Sequence, residues 1–217
     1  MKRRFDRIPS SRDARDLRLR DYLQVSRLTE RFWAVGPTFD QGETGHCVGF
    51  AFGDWSNCLP VFGNCTLSDC NRIYYEAVAL DGRPGDETGA SLRAGVKAMV
   101  KRGRIARYGF GDMDDARNFI LSTGPCVFGV MWTDAMMFPD KTGTIHVGGH
   151  PLGGHCLIAY GWKGGYFYLQ NSWSVKWGIK GCCRIKDEDL KALMKFSGEV
   201  VAAIELPVVT PTSPRLK

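Results

Sequence analysis

The residue types best suited to chemistry lie in a glycine-punctuated stretch, residues 39–55. Apolar residues at roughly helical spacing follow Cys47, which predicts that this cysteine stands in the first turn of a helix. Unpaired backbone N–H groups and the helix dipole favour a thiolate there, and the thiolate is the nucleophilic form of cysteine. Gln41, six positions upstream, carries a side-chain N–H that could help to hold an oxyanion. We therefore expect a nucleophile at Cys47.

Two β-rich runs far downstream carry the candidate partners of this thiol. His155 stands at the start of one predicted strand and Asn171 at the end of the next. A histidine can act as the base for a cysteine, and an amide can orient the histidine ring. His150 is the alternative base, because it lies close to the same strand. Asn171 could instead cap a turn, and Gln41 could be a turn residue of its loop.

The order and spacing of these residues resemble the papain-like cysteine peptidases of the C1 family. Six positions separate Gln41 from Cys47 and sixteen separate His155 from Asn171, as in that family, and the run N-S-W-x-x-x-W-G at 171–178 is also similar. The resemblance covers roughly residues 40–186, which is most of the chain.

The match has departures around the nucleophile. The chain reads T-G-H-C-V at 44–48, where the family signature is C-G-[SA]-C-[WY], and Ser174 replaces a glycine. The segment between Cys47 and His155 is also shorter than in plant and lysosomal members. These features resemble compact prokaryotic or phage members, and none removes a catalytic group. His46 is a bulky, titratable neighbour that could narrow the cleft or add charge.

The resemblance implies a role for each matching residue. Cys47 would attack a peptide carbonyl to give a thioester acyl-enzyme, and His155 would form the thiolate–imidazolium pair with it. Asn171 would orient the His155 ring, while Trp173 would cover their hydrogen bond. Gln41 would donate to the oxyanion together with the Cys47 backbone N–H.

Substrate binding is also implied by the resemblance. Relatives have a glycine-rich edge that pairs with the substrate backbone as an added strand. Gly89 and Ala90 match this edge best, and Gly154 and Trp173 are the further candidates for substrate binding. We expect a peptide or protein substrate, and neither a metal ion nor an organic cofactor.

The predicted elements indicate an α+β fold of two lobes. A helical lobe, 40–124, carries the nucleophile, and a β-rich lobe, 125–205, carries the histidine and the asparagine. By resemblance the second lobe is barrel-like and the active-site cleft lies between the two. Helices are predicted from near Ser68, over 90–103, over 113–122 and over 187–196, and the tail 206–217 is predicted to be loosely ordered.

Residues 1–39 form a basic N-terminal arm. The first 31 residues contain ten Lys and Arg against five Asp and Glu, yet the two signs alternate. This pattern favours a solvated arm that lies along the body through ion pairs, and it makes nucleic-acid binding an unlikely function. The arm is much shorter than the family's inhibitory prosegments, so we expect that the N-terminus does not restrain the enzyme.

Composition excludes several classes of protein. The chain lacks a run of about 18 apolar residues, which argues against a membrane span, and its start lacks the apolar core of a secretion signal. We therefore expect a cytoplasmic protein, and the resemblance to compact prokaryotic or phage members makes a phage a candidate source. Eight cysteines without a secretion signal favour free thiols, and the spacing of Cys58, Cys65 and Cys70 is not that of a zinc site.

The sequence thus predicts a cysteine-type peptidase. Two alternatives stay open. An acyl transferase, amidase or isopeptidase would form the same acyl-enzyme, but it would pass the acyl group to another acceptor or cleave another kind of amide bond. A non-catalytic binding protein that keeps the papain fold is conceivable because His46, Val48 and Ser174 depart from the family pattern.

Overall fold

The computed structural model describes residues 3–206, so the predicted tail lies outside the described residues except for Leu206. The α-helices of this part are α1 (Cys47–Ser56), α2 (Leu67–Leu80), α3 (Leu92–Lys101), α4 (Met113–Ser122) and α5 (Asp187–Met194). The strands are β1 (Glu30–Phe32), β2 (Arg107–Gly111), β3 (Cys126–Thr133), β4 (Pro151–Lys163), β5 (Tyr166–Gln170), β6 (Cys182–Lys186) and β7 (Glu199–Glu205).

The helix starts follow local hydrogen bonding. α2 begins after Thr66, whose side chain accepts from the Asp69 backbone while the Asp69 carboxylate accepts from the Thr66 backbone. The helix therefore starts near Ser68 as expected, with Thr66 and not Ser68 as its N-cap. α3 begins after Ser91, whose hydroxyl accepts from the Ala94 N–H.

The strands form one antiparallel sheet in the order β2-β7-β3-β4-β5-β6, with β1 paired to the far part of β4. The 13 residues of β4 make it the longest strand, and it pairs with β3 along its first part and with β5 along its last. His155 lies in the first part of β4, where it pairs with Val130 of β3.

Two apolar cores lie on opposite faces of this sheet. One joins α1, α2 and α3 to Val127, Ile158 and Val201. The other holds α4 and α5 residues against the opposite face, including Phe119 and Ile120. The packing therefore does not divide at Gly124, because α4 faces the sheet and β2 pairs with β7.

The N-terminal arm is attached along much of its length. Leu19 is fully buried in the second core, and β1 extends the sheet. Arg93 and Arg20 form ion pairs with Asp16 and Asp112 respectively, which tie the arm to α3 and to the start of α4. Among residues 3–206, no helix has both the length and the apolar character needed to cross a membrane.

Candidate active site

Cys47 is the first residue of α1, the most buried helix of the protein. All ten residues of α1 are buried, and the preceding His46 provides no side-chain hydrogen bond at the N-terminus. The first backbone N–H groups of a helix have no partner within it, so they can stabilise negative charge near the Cys47 thiol. The helix start is thus where the sequence predicts it.

His155 and Asn171 are brought together across β4 and the end of β5. The His155 Nε2 and the Asn171 Oδ1 are 2.8 Å apart, and both residues are fully buried. The Ser172 backbone N–H donates to the same Asn171 oxygen at 2.8 Å. Trp173 and Trp132 pack on the His155 ring with centroids 4.9 and 5.0 Å away, which shields this hydrogen bond from solvent.

Ser172 is a connecting residue that the sequence reasoning did not single out, although it belongs to the N-S-W run. Its hydroxyl donates to the Gln41 Oε1 at 2.7 Å, and its carbonyl accepts from the Gln41 backbone N–H at 2.9 Å. The Gln41 side-chain amide donates one hydrogen to the Thr44 carbonyl at 2.8 Å, which leaves its second hydrogen for another acceptor. Ser172 therefore links the amide of Gln41 to that of Asn171.

The other histidines have different surroundings. His46 is buried and stacks on Tyr74 with centroids 3.8 Å apart, and its ring nitrogens lie 2.8 Å from oxygens of Asn71 and Glu87. These contacts hold its ring within the helical lobe. His150 is exposed, and its backbone N–H donates to Asp134.

Residues 3–8 of the arm run through the cleft between the two lobes. The Arg7 N–H donates to the Gly154 carbonyl at 2.8 Å, and the Ile8 N–H donates to the Ala90 carbonyl at 3.0 Å. On the third candidate, Gly89, a Cβ would lie 1.5 Å from the arm's backbone, and its φ of +97° also favours glycine. Two cleft carbonyls expected to bind substrate thus bind the arm.

Side chains fasten this segment at both ends. Arg3 bonds to Asp40 at 2.5 Å and lies over Trp173, the fourth substrate-binding candidate. Arg7 forms an ion pair with Glu199 at 2.8 Å. Six extended residues reach about 20 Å, so even this short arm can span the cleft, which argues against the expectation that the N-terminus does not restrain the enzyme.

Burial decides the protonation of the site. Burial raises the pKa of Cys47 to about 11, although a backbone hydrogen bond from Cys156 and the Arg7 charge oppose this. Burial also lowers the pKa of His155 to about 4. His155 Nδ1 has no hydrogen-bond partner among residues 3–206. In this arm-covered state the expected thiolate–imidazolium pair is therefore not formed.

Residues 3–206 contain no cluster of three or more His, Cys, Asp or Glu side chains that could hold a metal ion. All eight cysteines are free, which includes Cys58, Cys65 and Cys70.

Releasing the arm should make Cys47 reactive. We expect the double variant Arg3→Ala/Arg7→Ala to raise the rate of Cys47 alkylation by iodoacetamide at least about tenfold, because exposure restores access and thiolate character. Peptide mass spectrometry gives the rate at this one cysteine. Arg15→Ala is the matched control, since this arm arginine is 87% exposed and pairs only with Asp13. Equal rates in wild type and the double variant would contradict the covering.

Stability should fall in acid because His155 is held neutral. Above its ordinary pKa of 6.5 the ring is neutral in both folded and unfolded chains; between 6.5 and about 4 only the unfolded chain takes up the proton. The free energy of unfolding should therefore drop by up to about 3 kcal/mol as the pH falls through this window. Urea unfolding at several pH values measures this free energy. In His155→Gln, the free energy of unfolding should lack the His155 contribution to its pH dependence between pH 6.5 and about 4. Identical slopes would rule out a neutral, buried His155.

No protein-family model matches the chain. An uncharacterised peptidase C1-like protein of Acanthamoeba polyphaga mimivirus is 26% identical, over 65% of this chain and 61% of that protein. The chain therefore spans less than two thirds of the length of this relative.

Solved cysteine proteases share the architecture. Xylellain, a cysteine protease from Xylella fastidiosa, superposes with a TM-score of 0.72 at 16% identity, over 94% of this chain and 96% of xylellain. A cysteine protease of Carica candamarcensis in complex with E-64 superposes with a TM-score of 0.62 at 17% identity, over 80% of this chain and 97% of that protease. Digestive procathepsin L 3 of Tenebrio molitor superposes with a TM-score of 0.59 at 16% identity, over 92% of this chain and 74% of the procathepsin chain. The predicted α+β class is thereby confirmed, and the chain has the fold of the papain-like cysteine proteases.

Proposed function

We propose that this protein is a papain-like cysteine peptidase whose own residues 3–8 keep it latent. The observation that carries the proposal is the buried His155–Asn171 hydrogen bond, whose asparagine is joined through Ser172 to Gln41, in the loop that leads into Cys47 at the uncapped start of α1. The peptidase-like name of the viral relative and the protease fold support the same activity.

The first chemical step would begin once the arm has left. Exposure removes the desolvation that holds the thiol and imidazole neutral, so the proton can pass from Cys47 to His155. The Cys47 sulfur then attacks the peptide carbonyl carbon, and the second Gln41 amide hydrogen and the Cys47 backbone N–H would donate to the oxyanion.

Collapse of this intermediate would complete the reaction. The peptide C–N bond breaks, the leaving amine takes the proton from His155, and a thioester stays on Cys47. Water then gives a proton to His155 and attacks the thioester, which releases the acid and the free thiol. Asn171 would keep the ring in the tautomer and orientation that both proton transfers need.

The nucleophile is tested by substitution in the arm-released protein. We expect Cys47→Ala in the Arg3→Ala/Arg7→Ala background to reduce peptide hydrolysis to background, because no other group can form the acyl-enzyme. Cys65→Ala is the matched cysteine control and should keep the activity. Product analysis with an added amine separates hydrolysis from acyl transfer. A Cys47→Ala protein that still hydrolyses peptides would overturn the proposal, and an arm-released protein without any turnover would favour the binding protein.

The link through Ser172 is tested by its alanine variant. Ser172→Ala removes the hydrogen bond to Gln41 Oε1, so we expect the amide to lose its fixed orientation and kcat to fall about tenfold with little change in KM. The Cys47 alkylation rate should stay that of the parent, because Ser172 does not contact the thiol. A Ser172→Ala protein with unchanged kcat would show that Gln41 needs no such support.

A further inference from the structure

A glycine in the middle of a buried strand opens a trough beside the candidate nucleophile. Gly129 lies opposite Cys156 of β4 on one side and opposite Glu199 of β7 on the other. Directly opposite residues of neighbouring strands point to the same face, so this row faces the helical lobe. The absent side chain of Gly129 leaves a channel that runs from the Cys156 thiol to the Glu199 carboxylate.

The arm fills this trough with one arginine. The Arg7 side chain is 1% exposed, and a Cβ on Gly129 would lie only 2.9 Å from its Nε. One terminal nitrogen donates to the Glu199 carboxylate and the other to the Ser197 carbonyl, each at 2.8 Å. The planar guanidinium thus meets two acceptors, a geometry that a lysine ammonium does not reproduce.

The trough belongs to the cleft and not to the arm. Its floor and both acceptors come from β3, β7 and the turn before β7, whereas the arm supplies only Arg7 and the Ser10 N–H that bonds to Glu199. The backbone of Arg7 pairs with Gly154, one of the candidate substrate-binding residues. Departure of the arm leaves the Glu199 carboxylate and the Ser197 carbonyl without their guanidinium partner, so both can accept from a guanidinium of another peptide.

We propose that this trough is a substrate subsite that selects arginine, so that the protein cleaves peptides carrying an arginine next to or one residue before the scissile bond. The inference rests on the proposed peptidase function and names its substrate class. In this view Arg7 occupies the position of a substrate arginine, and the substrate restores the contacts that the arm gives up.

The test uses the full-length Arg3→Ala/Arg7→Ala protein, in which the arm is released and the trough is empty. Acyl-dipeptidyl aminomethylcoumarins with arginine, citrulline, lysine or leucine at each of the two positions measure kcat/KM. Citrulline has nearly the shape of arginine but no charge. At one of the two positions we expect kcat/KM for the arginine substrate to exceed that for the citrulline substrate at least about thirtyfold, with the value for lysine between them. Equal rates for arginine and citrulline at both positions would overturn the subsite.

Glu199→Gln in the same background identifies the acceptor. The arginine-to-citrulline ratio should fall close to one, because the neutral amide no longer prefers a cation. Arg4→Ala in the otherwise wild-type chain is the matched arm control; Arg4 bonds to the Glu87 carbonyl and leaves the trough filled by Arg7. A ratio that survives Glu199→Gln would assign the selectivity to another residue and contradict the proposal.

A binding measurement separates this inference from the peptidase function. The Tm of the full-length Cys47→Ala/Arg3→Ala/Arg7→Ala protein is measured with acetyl-FDRI-amide, the arm sequence, and with its citrulline analogue. The arginine peptide should raise Tm more than the analogue, even if no peptide is ever cleaved. Preferential binding of the arginine peptide without any peptide hydrolysis would contradict the proposed function and support the subsite. Equal Tm shifts with the two peptides would overturn the subsite, whether or not peptides are hydrolysed.

Discussion

Burial of a thiol and an imidazole beneath the chain's own N-terminal segment is the constraint on which the rest of the site depends. Cys47 and His155 have no solvent exposure, and desolvation disfavours the charged form of each. The groups that would make a reactive ion pair are therefore both held neutral. The same burial also removes the driving force for proton transfer between them.

The cover is held in one register by complementary contacts. Two backbone hydrogen bonds join the arm to opposite walls of the cleft, and the Arg7–Glu199 ion pair lies between the lobes. A buried ion pair adds little net stability because desolvation offsets the attraction, yet it discriminates strongly between partners. A shift of the arm by one residue would bring Asp6 or Ile8 against the Glu199 carboxylate. The Arg7–Glu199 ion pair thus fixes the register of the arm, which the backbone hydrogen bonds alone do not specify.

Elements that the sequence did not reveal owe their form to pairing with distant strands. β2 has five residues, two of them glycine, so neither its length nor its composition favours a strand. It becomes one because β7 offers a free edge. β1 is shorter still and exists through its pairing with β4. The placement of α4 has the same origin, since its apolar face packs on a sheet that forms from later parts of the chain.

The sequence by itself determined the local features: the helix that starts at Cys47, the amide and imidazole on neighbouring strands, and the α+β class. These follow from short-range periodicity, glycine placement and the spacing of a few residue types. Tertiary structure alone decided that residues 3–8 lie in the cleft, that Ser172 joins Gln41 to Asn171, and that Arg7 meets Glu199 across Gly129. The Arg7–Gly154, Ser172–Gln41 and Arg7–Glu199 contacts each join residues more than a hundred positions apart. Charge and hydrogen-bonding capacity show that such residues need partners, but only the folded chain shows which partners they find.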